Sequence, residues 1–182
     1  LDTSQVTVRD MEMPDKTVGH GMTALQDLED DAEVWKFILE LCQDIGHRLY
    51  VFNKKATGIA IAVRDNELFT KQWQCGIPVP TQSPSVIAKE AFSLFLRSYD
   101  WKRPIRSLTV RAINLTSLDT PCQLDMFSDP QKVARAEALD KTIEELRYRF
   151  GKQIIRNACL LDNPKMSAQG NPNIIMPTGV PM

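Results

Sequence analysis

The residues of this chain that could perform acid–base chemistry lie in two carboxylate pairs, Asp30-Asp31 and Glu144-Glu145. Both pairs fall at predicted helix positions, where capping or a solvated face accounts for adjacent acidic residues. The sequence contains no P-loop, no HExxH motif, and no serine or cysteine at a catalytic spacing from a histidine. We therefore predict no catalytic residue.

The cysteines and histidines lie too far apart to suggest a metal site. No CxxC pair occurs, and only two histidines are available as further ligands, so we expect no zinc site. Widely spaced thiols in a chain of this size favour reduced cysteines over a disulfide framework. The residues concerned are Cys42, Cys75, Cys122, Cys159, His20 and His47.

Length and composition indicate one globular domain or slightly more. The chain has 182 residues, of which 43% are hydrophobic and 25% charged. A net charge of -1 argues against a uniformly basic nucleic-acid-binding protein, although it permits a local basic face. No run approaches the roughly 20 apolar residues of a membrane span, so we expect no membrane partner. Residues 1–15 are polar, unpatterned and begin without methionine, which favours a linker from a longer protein.

One predicted loop carries large apolar residues of the kind that loops usually lack. Its sequence, QLDMF, stands just before Asp129-Pro130, which is typical of a helix start. Gln123 can both donate and accept a hydrogen bond, while Leu124, Met126 and Phe127 could enter an apolar pocket of a partner. Alternatively, these side chains staple the next helix to the domain. The residues alone leave both readings open.

Hydrophobic periodicity predicts the element order strand, helix, strand, strand, helix, strand. The predicted segments are a strand at 16–25, a helix at 31–51, a hairpin at 56–76 with its turn at Asp65-Asn66-Glu67, a helix from Ser83-Pro84, and a strand at 105–115.

Each predicted helix has one apolar stripe, and the two stripes need a shared apolar surface to cover. The fold class is therefore α+β, with a four-stranded mixed or antiparallel sheet and both helices on one of its faces. The first stripe is Val34, Phe37, Ile38, Leu41, Cys42, Ile45 and Leu49, the second is Ile87, Ala91, Leu94, Phe95 and Tyr99, and the hairpin contributes Ile59, Ile61 and Val63.

The other face of the sheet would be open to solvent and would carry mainly small or hydroxyl side chains. Such groups can hold a sugar–phosphate backbone without reading bases, because glycines allow close approach to the main chain. The alternative is that a solvent-facing sheet is simply polar. The candidates are Thr17, Gly19, Gly21, Thr70, Gln72, Ser107, Thr109 and Arg111, with Lys102, Arg103 and Arg106 adding positive charge nearby.

A third helix is predicted from Asp129-Pro130 to a closing glycine at Gly151. Its stripe could pack on the sheet domain, on another part of a longer protein, or on a second copy of the chain. Residues 154–161 are expected to be extended, and residues 163–182 to be disordered. The stripe consists of Val133, Ala136, Leu139, Ile143, Leu146 and Phe150.

Three segments in combination resemble the carboxy-terminal part of the Y-family translesion DNA polymerases. They are KTVGHGMT at 16–23, RPIRSLTVRAINL at 103–115, and QLDMF followed by a basic helix that ends in RYRFGKQIIRNACLL. The resemblance covers most of residues 12–162 and implies the little finger domain, also called the polymerase-associated domain, with its tail.

This resemblance implies DNA binding without catalysis. In that family the preceding palm domain carries the metal-binding carboxylates, so Mg²⁺ and polymerase activity would belong to a core before Leu1, and no cofactor is expected here. The family's little finger lies in the major groove of the primer–template duplex and contacts mainly phosphates. The implied DNA contacts are Thr17, Gly19, His20, Arg103, Arg106, Ser107, Thr109 and Arg111, although family members often have glycine where this chain has Thr109.

QLDMF also matches the pentapeptide by which bacterial members bind the sliding clamp. The implied clamp-binding residues are Gln123, Leu124, Asp125, Met126 and Phe127. The implied location is the bacterial cytoplasm, at the nucleoid. The expected divisions are a linker at 1–15, the little finger at 16–118, a clamp-binding loop at 119–128, a helix and extended segment at 129–162 whose exposed stripe would favour homodimers, and a tail at 163–182.

The alternative is a stand-alone α+β domain that binds RNA or protein. RNA-binding sheets of this size usually display stacking aromatic residues on the open face. Phe69 and Trp73 share one face of the predicted third strand, which weakens the RNA-binding alternative without excluding it.

Overall fold

The computed structural model describes residues 16–118, 120, 130–151, 154–161 and 165–166, with backbone alone for 130–134. The predicted order of elements is confirmed, and the outer strands run past their predicted ends. The elements are β1 (Thr17–Leu28), α1 (Asp31–Val51), β2 (Lys54–Asp65), β3 (Thr70–Thr81), α2 (Pro84–Ser98), β4 (Ile105–Ser117), α3 (Pro130–Phe150) and a 3-10 turn (Ala158–Leu160). QLDMF lies outside the described residues.

The sheet has the strand order β1-β4-β2-β3, and each neighbouring pair is antiparallel. The two helical connections join strands that run in the same direction but are not neighbours. β4 lies between β1 and β2, and β2 lies between β3 and β4. The sheet is therefore fully antiparallel, which settles the choice that the sequence left open.

The hydrophobic core lies between one face of the sheet and the helices α1 and α2. All seven residues predicted for the stripe of α1 are buried, and so are Ile87, Ala91, Leu94 and Phe95 of α2. From the sheet, the alternate residues Ile59, Ile61 and Val63 of β2 and Leu108, Val110 and Ala112 of β4 complete this core. The alternation leaves the other face of the sheet uncovered.

Local hydrogen bonds explain where α1 and the hairpin begin and end. The Asp30 carboxylate caps α1 by accepting the Glu33 N–H at 2.7 Å, and the Glu33 carboxylate accepts the N–H of Glu29 at 2.8 Å, an arrangement similar to a capping box. At the β2–β3 turn, Asp65 Oδ1 accepts the N–H groups of Glu67 and Phe69 at 3.0 and 2.9 Å. One carboxylate therefore closes this turn.

α3 contacts α1 through polar side chains, while its predicted apolar stripe is half-buried at Ala136, Ile143 and Leu146 and exposed at its two other described positions. Leu139 and Phe150 are 60% and 61% exposed, whereas Glu144 is only 6% exposed. The interpretation of Glu144 as a capping or solvated residue was therefore wrong, although Glu145 is exposed.

Two residues on the outer face of α1 account for the buried position of Glu144. Glu144 Oε2 lies 2.7 Å from His47 Nδ1, and Arg147 donates to Glu144 Oε1 at 3.0 Å and to Gln43 Oε1 at 2.8 Å. Because α1 presents His47 and Gln43 to α3, α3 packs against it with the charged side chains of Glu144 and Arg147.

The segments after α3 also differ from expectation. Ala158–Leu160 form a 3-10 turn that buries Leu160, in place of an extended strand. Lys165 and Met166, which fall in the predicted disordered tail, make defined contacts with β1 and the core. The disorder prediction was wrong at these two residues, and the rest of 163–182 lies outside the described part.

No helix in the described part of the chain is long and apolar enough to cross a membrane. The described cysteines, Cys42, Cys75 and Cys159, are free. Burial raises the pKa of the Cys42 thiol far above its ordinary value, so this thiol stays protonated at neutral pH.

Core packing in α1 gives a matched test with two leucines. Leu41→Ala should lower the free energy of unfolding by about 2–5 kcal/mol, because Leu41 is completely buried. Leu96→Ala, on α2, should change it by less than about 0.5 kcal/mol, because Leu96 is 50% exposed. Urea denaturation followed by circular dichroism measures both, and equal losses would contradict the burial described here.

Candidate nucleic-acid interface

The open face of the sheet consists of four rows of side chains, each of which crosses all four strands. Strand pairing fixes the rows, and the alternation of side chains places them all on the face away from the helices. In the order β1, β4, β2, β3 they are Thr17, Ile113, Gly58 and Gly76; Gly19, Arg111, Ala60 and Gln74; Gly21, Thr109, Ala62 and Gln72; and Thr23, Ser107, Arg64 and Thr70.

This face is small, polar and free of acidic residues at these sixteen positions. Small residues, hydroxyls and amides make up most of the rows, with Ala60 and Ala62 beside Arg111 and Thr109 in the middle, and Ile113 is their one large apolar residue. The charged residues of the rows are Arg64 and Arg111, and both are exposed. The surface can therefore donate hydrogen bonds to an anionic, extended ligand and lets that ligand approach the backbone closely.

Two glycines of β1 make room for the side chains of β4. A Cβ atom at Gly19 would lie 2.7 Å from Cγ of Arg111, and a Cβ atom at Gly21 would lie 2.4 Å from Oγ1 of Thr109. The side chains of Arg111 and Thr109 thus occupy the space above β1 that any larger residue there would fill. This gives the pattern GHG in β1 a physical reason.

Ser107 and Arg106 fasten the other end of the β1–β4 pair. The Ser107 hydroxyl donates to the Met22 carbonyl at 3.1 Å. Arg106 Nη1 lies 3.3 Å from Asp27 Oδ1 and 3.4 Å from the Leu25 carbonyl oxygen. The charge of Arg106 is thus partly balanced within the protein.

Arg103 lies away from the open face, beside the β2–β3 turn. Its guanidinium is 3.3 Å from Asp65 Oδ2 and 2.8 Å from Glu67 Oε2, and it stacks 5.2 Å from the centre of the Phe69 ring. Lys102 is similarly paired, because its amine lies 2.8 Å from the carboxylate of Asp100. This hydrogen bond lowers the pKa of Asp100.

His20 faces the helix layer. Its Nδ1 lies 3.1 Å from Oδ2 of Asp44 on α1, and Arg48 Nη2 lies 2.7 Å from the same oxygen. Among the residues that the resemblance implied, the open face therefore unites Thr17, Gly19, Ser107, Thr109 and Arg111, places Arg106 at one end, and excludes the side chains of His20 and Arg103.

Sequence reasoning missed Arg64, although a signal for it was present. The alternation that puts Gly58, Ala60 and Ala62 on the open face continues by one step to residue 64. The register confirms this position, since Arg64 pairs with Ser107 of β4 and Thr70 of β3. Arg64 directly precedes the predicted turn at Asp65, so it was not counted with the residues of the open face.

The aromatic residues considered for base stacking do not lie in these rows. Trp73 pairs with Ile61 on the covered face and packs edge-on against Tyr99, with ring centres 6.3 Å apart. Phe69 precedes β3 and lies under Arg103. Burial raises the pKa of the Tyr99 hydroxyl above its ordinary value. The stacking platform expected of an RNA-binding sheet is missing from the sixteen positions.

Among the described residues, no group of three or more histidine, cysteine, aspartate or glutamate side chains could hold a metal ion.

The fold has a counterpart among solved structures. A Y-family DNA polymerase chimera superimposes with a TM-score of 0.50 at 16% sequence identity, covering 58% of this chain and 30% of that one. At this identity the likeness defines the fold alone.

Sequence comparison identifies the family. The family model described as the impB/mucB/samB family C-terminal domain matches residues 15–126, which is more than half of the chain. The chain therefore belongs to this family, and its sheet domain, from β1 to β4, falls within the matched carboxy-terminal domain.

Curated relatives agree with this assignment. DNA polymerase IV of Acetivibrio thermocellus is 36% identical over 162 residues, which are 89% of this chain and 41% of that protein. DNA polymerase IV of Clostridium acetobutylicum is 29% identical over 147 residues, or 81% of this chain and 36% of that protein. The chain thus spans about two fifths of the length of these relatives.

The close approach of β1 to β4 can be tested with a double-mutant cycle. Gly21→Ala should destabilise the domain by about 1–3 kcal/mol, because the new methyl group would overlap Thr109 Oγ1. The same change in a Thr109→Ala background should cost clearly less. Gly76→Ala is the control, since its Cβ would lie 3.9 Å from the nearest atom. An equal cost for Gly21→Ala in both backgrounds would contradict the proposed overlap.

Proposed function

We propose that this chain is the DNA-gripping part of an error-prone translesion DNA polymerase, which holds the primer–template duplex by its phosphates. The observation that carries this proposal is the open face, where two exposed guanidinium groups stand over small residues and hydroxyls, without acidic neighbours in the rows. Contacts of this kind fix the position of a duplex without reading its sequence.

The spacing of Arg64 and Arg111 suits a duplex. Arg111 pairs with Ala60, four residues along β2 from Arg64. Standard strand dimensions then place the two Cα atoms about 14 Å apart. The major groove of B-DNA is about 12 Å wide, so two long side chains at this spacing can reach phosphates on both of its sides. We propose that the small residues between these two arginines let the duplex come close to the backbone of the sheet.

The polymerase reaction itself belongs, in this proposal, to the parent protein. The relatives matched are named DNA polymerases, and the chain corresponds to about two fifths of their length. Magnesium-dependent nucleotidyl transfer would occur in the preceding palm domain, and the parent would act in translesion synthesis in the bacterial cytoplasm. The contribution of this chain is then to hold the DNA.

A second part of the proposal concerns the sliding clamp. QLDMF offers a polar head in Gln123 and apolar anchors in Leu124, Met126 and Phe127, and Asp125 keeps it soluble between them. Burial of such anchors, after the cost of ordering a short peptide, supports affinity of about micromolar strength. That strength permits exchange among polymerases on one clamp.

Weak self-association of the isolated chain through α3 is a further element of the proposal. Leu139 and Phe150, which lie on one side of this helix, are 60% and 61% exposed. Exposed apolar side chains of this size favour contact with another copy.

Duplex binding can be tested with two arginine variants and a charge-matched control. Arg111→Ala and Arg64→Ala should each weaken binding to any duplex sequence and reduce the slope of log K against log salt by about 0.9. Lys89→Ala removes the same charge from the exposed side of α2, on the opposite side of the sheet, and should leave the slope unchanged. Fluorescence anisotropy at several salt concentrations gives these slopes. Equal slopes for all three variants would contradict the assignment of the open face.

Clamp binding has its own test. A Gln123→Ala/Phe127→Ala double variant should lose binding of about micromolar strength to a bacterial sliding clamp in calorimetric titration, because it lacks the polar head and the aromatic anchor. Circular dichroism must show the variant folded. A variant that is folded and still binds, or one that unfolds, would remove QLDMF from this role.

A further inference from the structure

The chain beyond α3 returns to the sheet at the irregular end of β1. The carbonyl oxygen of Lys165 accepts the Leu25 N–H at 2.9 Å. The side-chain amine of Lys165 donates to the Asp27 carbonyl at 2.9 Å and lies 2.6 Å from Oε1 of Glu33. The side chain of Met166 packs against the hydrophobic core. Backbone and side-chain contacts thus meet at one point of the sheet.

β1 needs support at this point because its pairing with β4 is interrupted. Thr23 pairs with Ser107, and the next pair is Leu28 with Ile105. Residues 24–27 therefore stand opposite a single residue, and their main-chain groups lack the regular partners of a strand. Arg106 supplies contacts to this bulge from the β4 side, and Lys165 supplies them from the outer edge.

The described residues before Lys165 contact α3 and the buried interior. Arg147 donates to the Ile155 carbonyl at 3.0 Å, and Leu160 is buried. Glu33, the partner of the Lys165 amine, lies in the first turn of α1. The described residues on either side of 162–164 therefore contact α3, the buried interior and the first turn of α1, so the contact at β1 does not depend on one surface ion pair alone.

We propose that the described residues of 154–166 form a clasp in which Lys165 positions the irregular end of β1. The clasp stabilises the bulge at 24–27, and through it the rows of the open face to which β1 contributes. Lys165 is a positioning residue, because its amine is directed to Glu33 and to the main chain of Asp27. The effect on DNA rests on the proposed function, whereas the effect on β1 does not.

The electrostatic setting agrees with this role. A hydrogen bond to Glu33 raises the pKa of the Lys165 amine, and Glu29 and Asp30 act in the same direction. Lys165 therefore stays protonated throughout the neutral range, so its amine can donate to Glu33 and to the Asp27 carbonyl there.

Amide hydrogen exchange tests the clasp directly. In a Lys165→Ala variant the Leu25 amide should exchange at least about tenfold faster, since local opening of an edge strand governs its protection. Lys165→Arg should restore much of the protection, because arginine can also reach a carboxylate and a carbonyl. Lys141→Ala, an exposed position on α3, removes the same charge and should leave Leu25 unchanged. Unchanged exchange at Leu25 in Lys165→Ala would overturn the proposal.

Duplex binding by the same variants separates positioning from direct contact. Lys165→Ala should weaken binding several-fold while leaving the salt slope as in the unmodified chain, because that slope counts phosphate contacts. A slope lower by about 0.9 would instead make Lys165 a phosphate contact and overturn its positioning role. If the unmodified chain binds no duplex, the proposed function fails, and the exchange result alone decides the clasp. A chain ending at Leu161 provides a second variant and should show the same faster exchange at Leu25.

Discussion

The position of β4 between β1 and β2 is the constraint on which the rest of this structure depends. One set of its side chains, which includes Leu108 and Val110, lies in the core, and the alternate set, which includes Thr109 and Arg111, faces solvent. A slip of one residue would exchange the two sets. Partners on both sides prevent such a slip, because β4 pairs with two strands along most of its length. The packing of the core therefore also fixes which side chains of β4 lie on the open face.

Charge is arranged around this framework so that a nearly neutral chain retains a positive surface. Two acidic side chains beside the sheet form salt bridges with arginines: Asp27 pairs with Arg106, and Asp65 pairs with Arg103. The rows of the open face hold Arg64 and Arg111 without a carboxylate among them. The net charge therefore does not indicate where this protein could bind an anionic ligand, whereas the positions of the individual charges do.

Periodicity made much of the fold predictable. The stripe of α1 and the alternation of β2 were correct residue by residue, since burial on one face imposes these patterns. The alternation of side chains along β1 also places His20 on the same face as Val18 and Met22, which is the face toward the helices. The structure agrees with this alternation and not with the DNA contact that the family resemblance implied for the His20 side chain.

What could not be predicted depends on partners distant in sequence. Glu144 is buried against His47, which is 97 positions away in the chain, and Lys165 contacts the bulge of β1 and Glu33 of α1. No local pattern encodes the strand order that brings the four rows of the open face together. Such features arise from tertiary contacts and not from the periodicity of one segment.

The central claim is that the open face of the sheet meets duplex DNA. An NMR titration of the amide resonances with a short duplex would test it most directly. We expect the perturbed amides to cluster at Gly19, Gly21, Ala60, Ala62 and Arg111, with those of the outer faces of α1 and α3 unchanged. Perturbations concentrated on α1 or α3, with the sheet unaffected, would contradict the account.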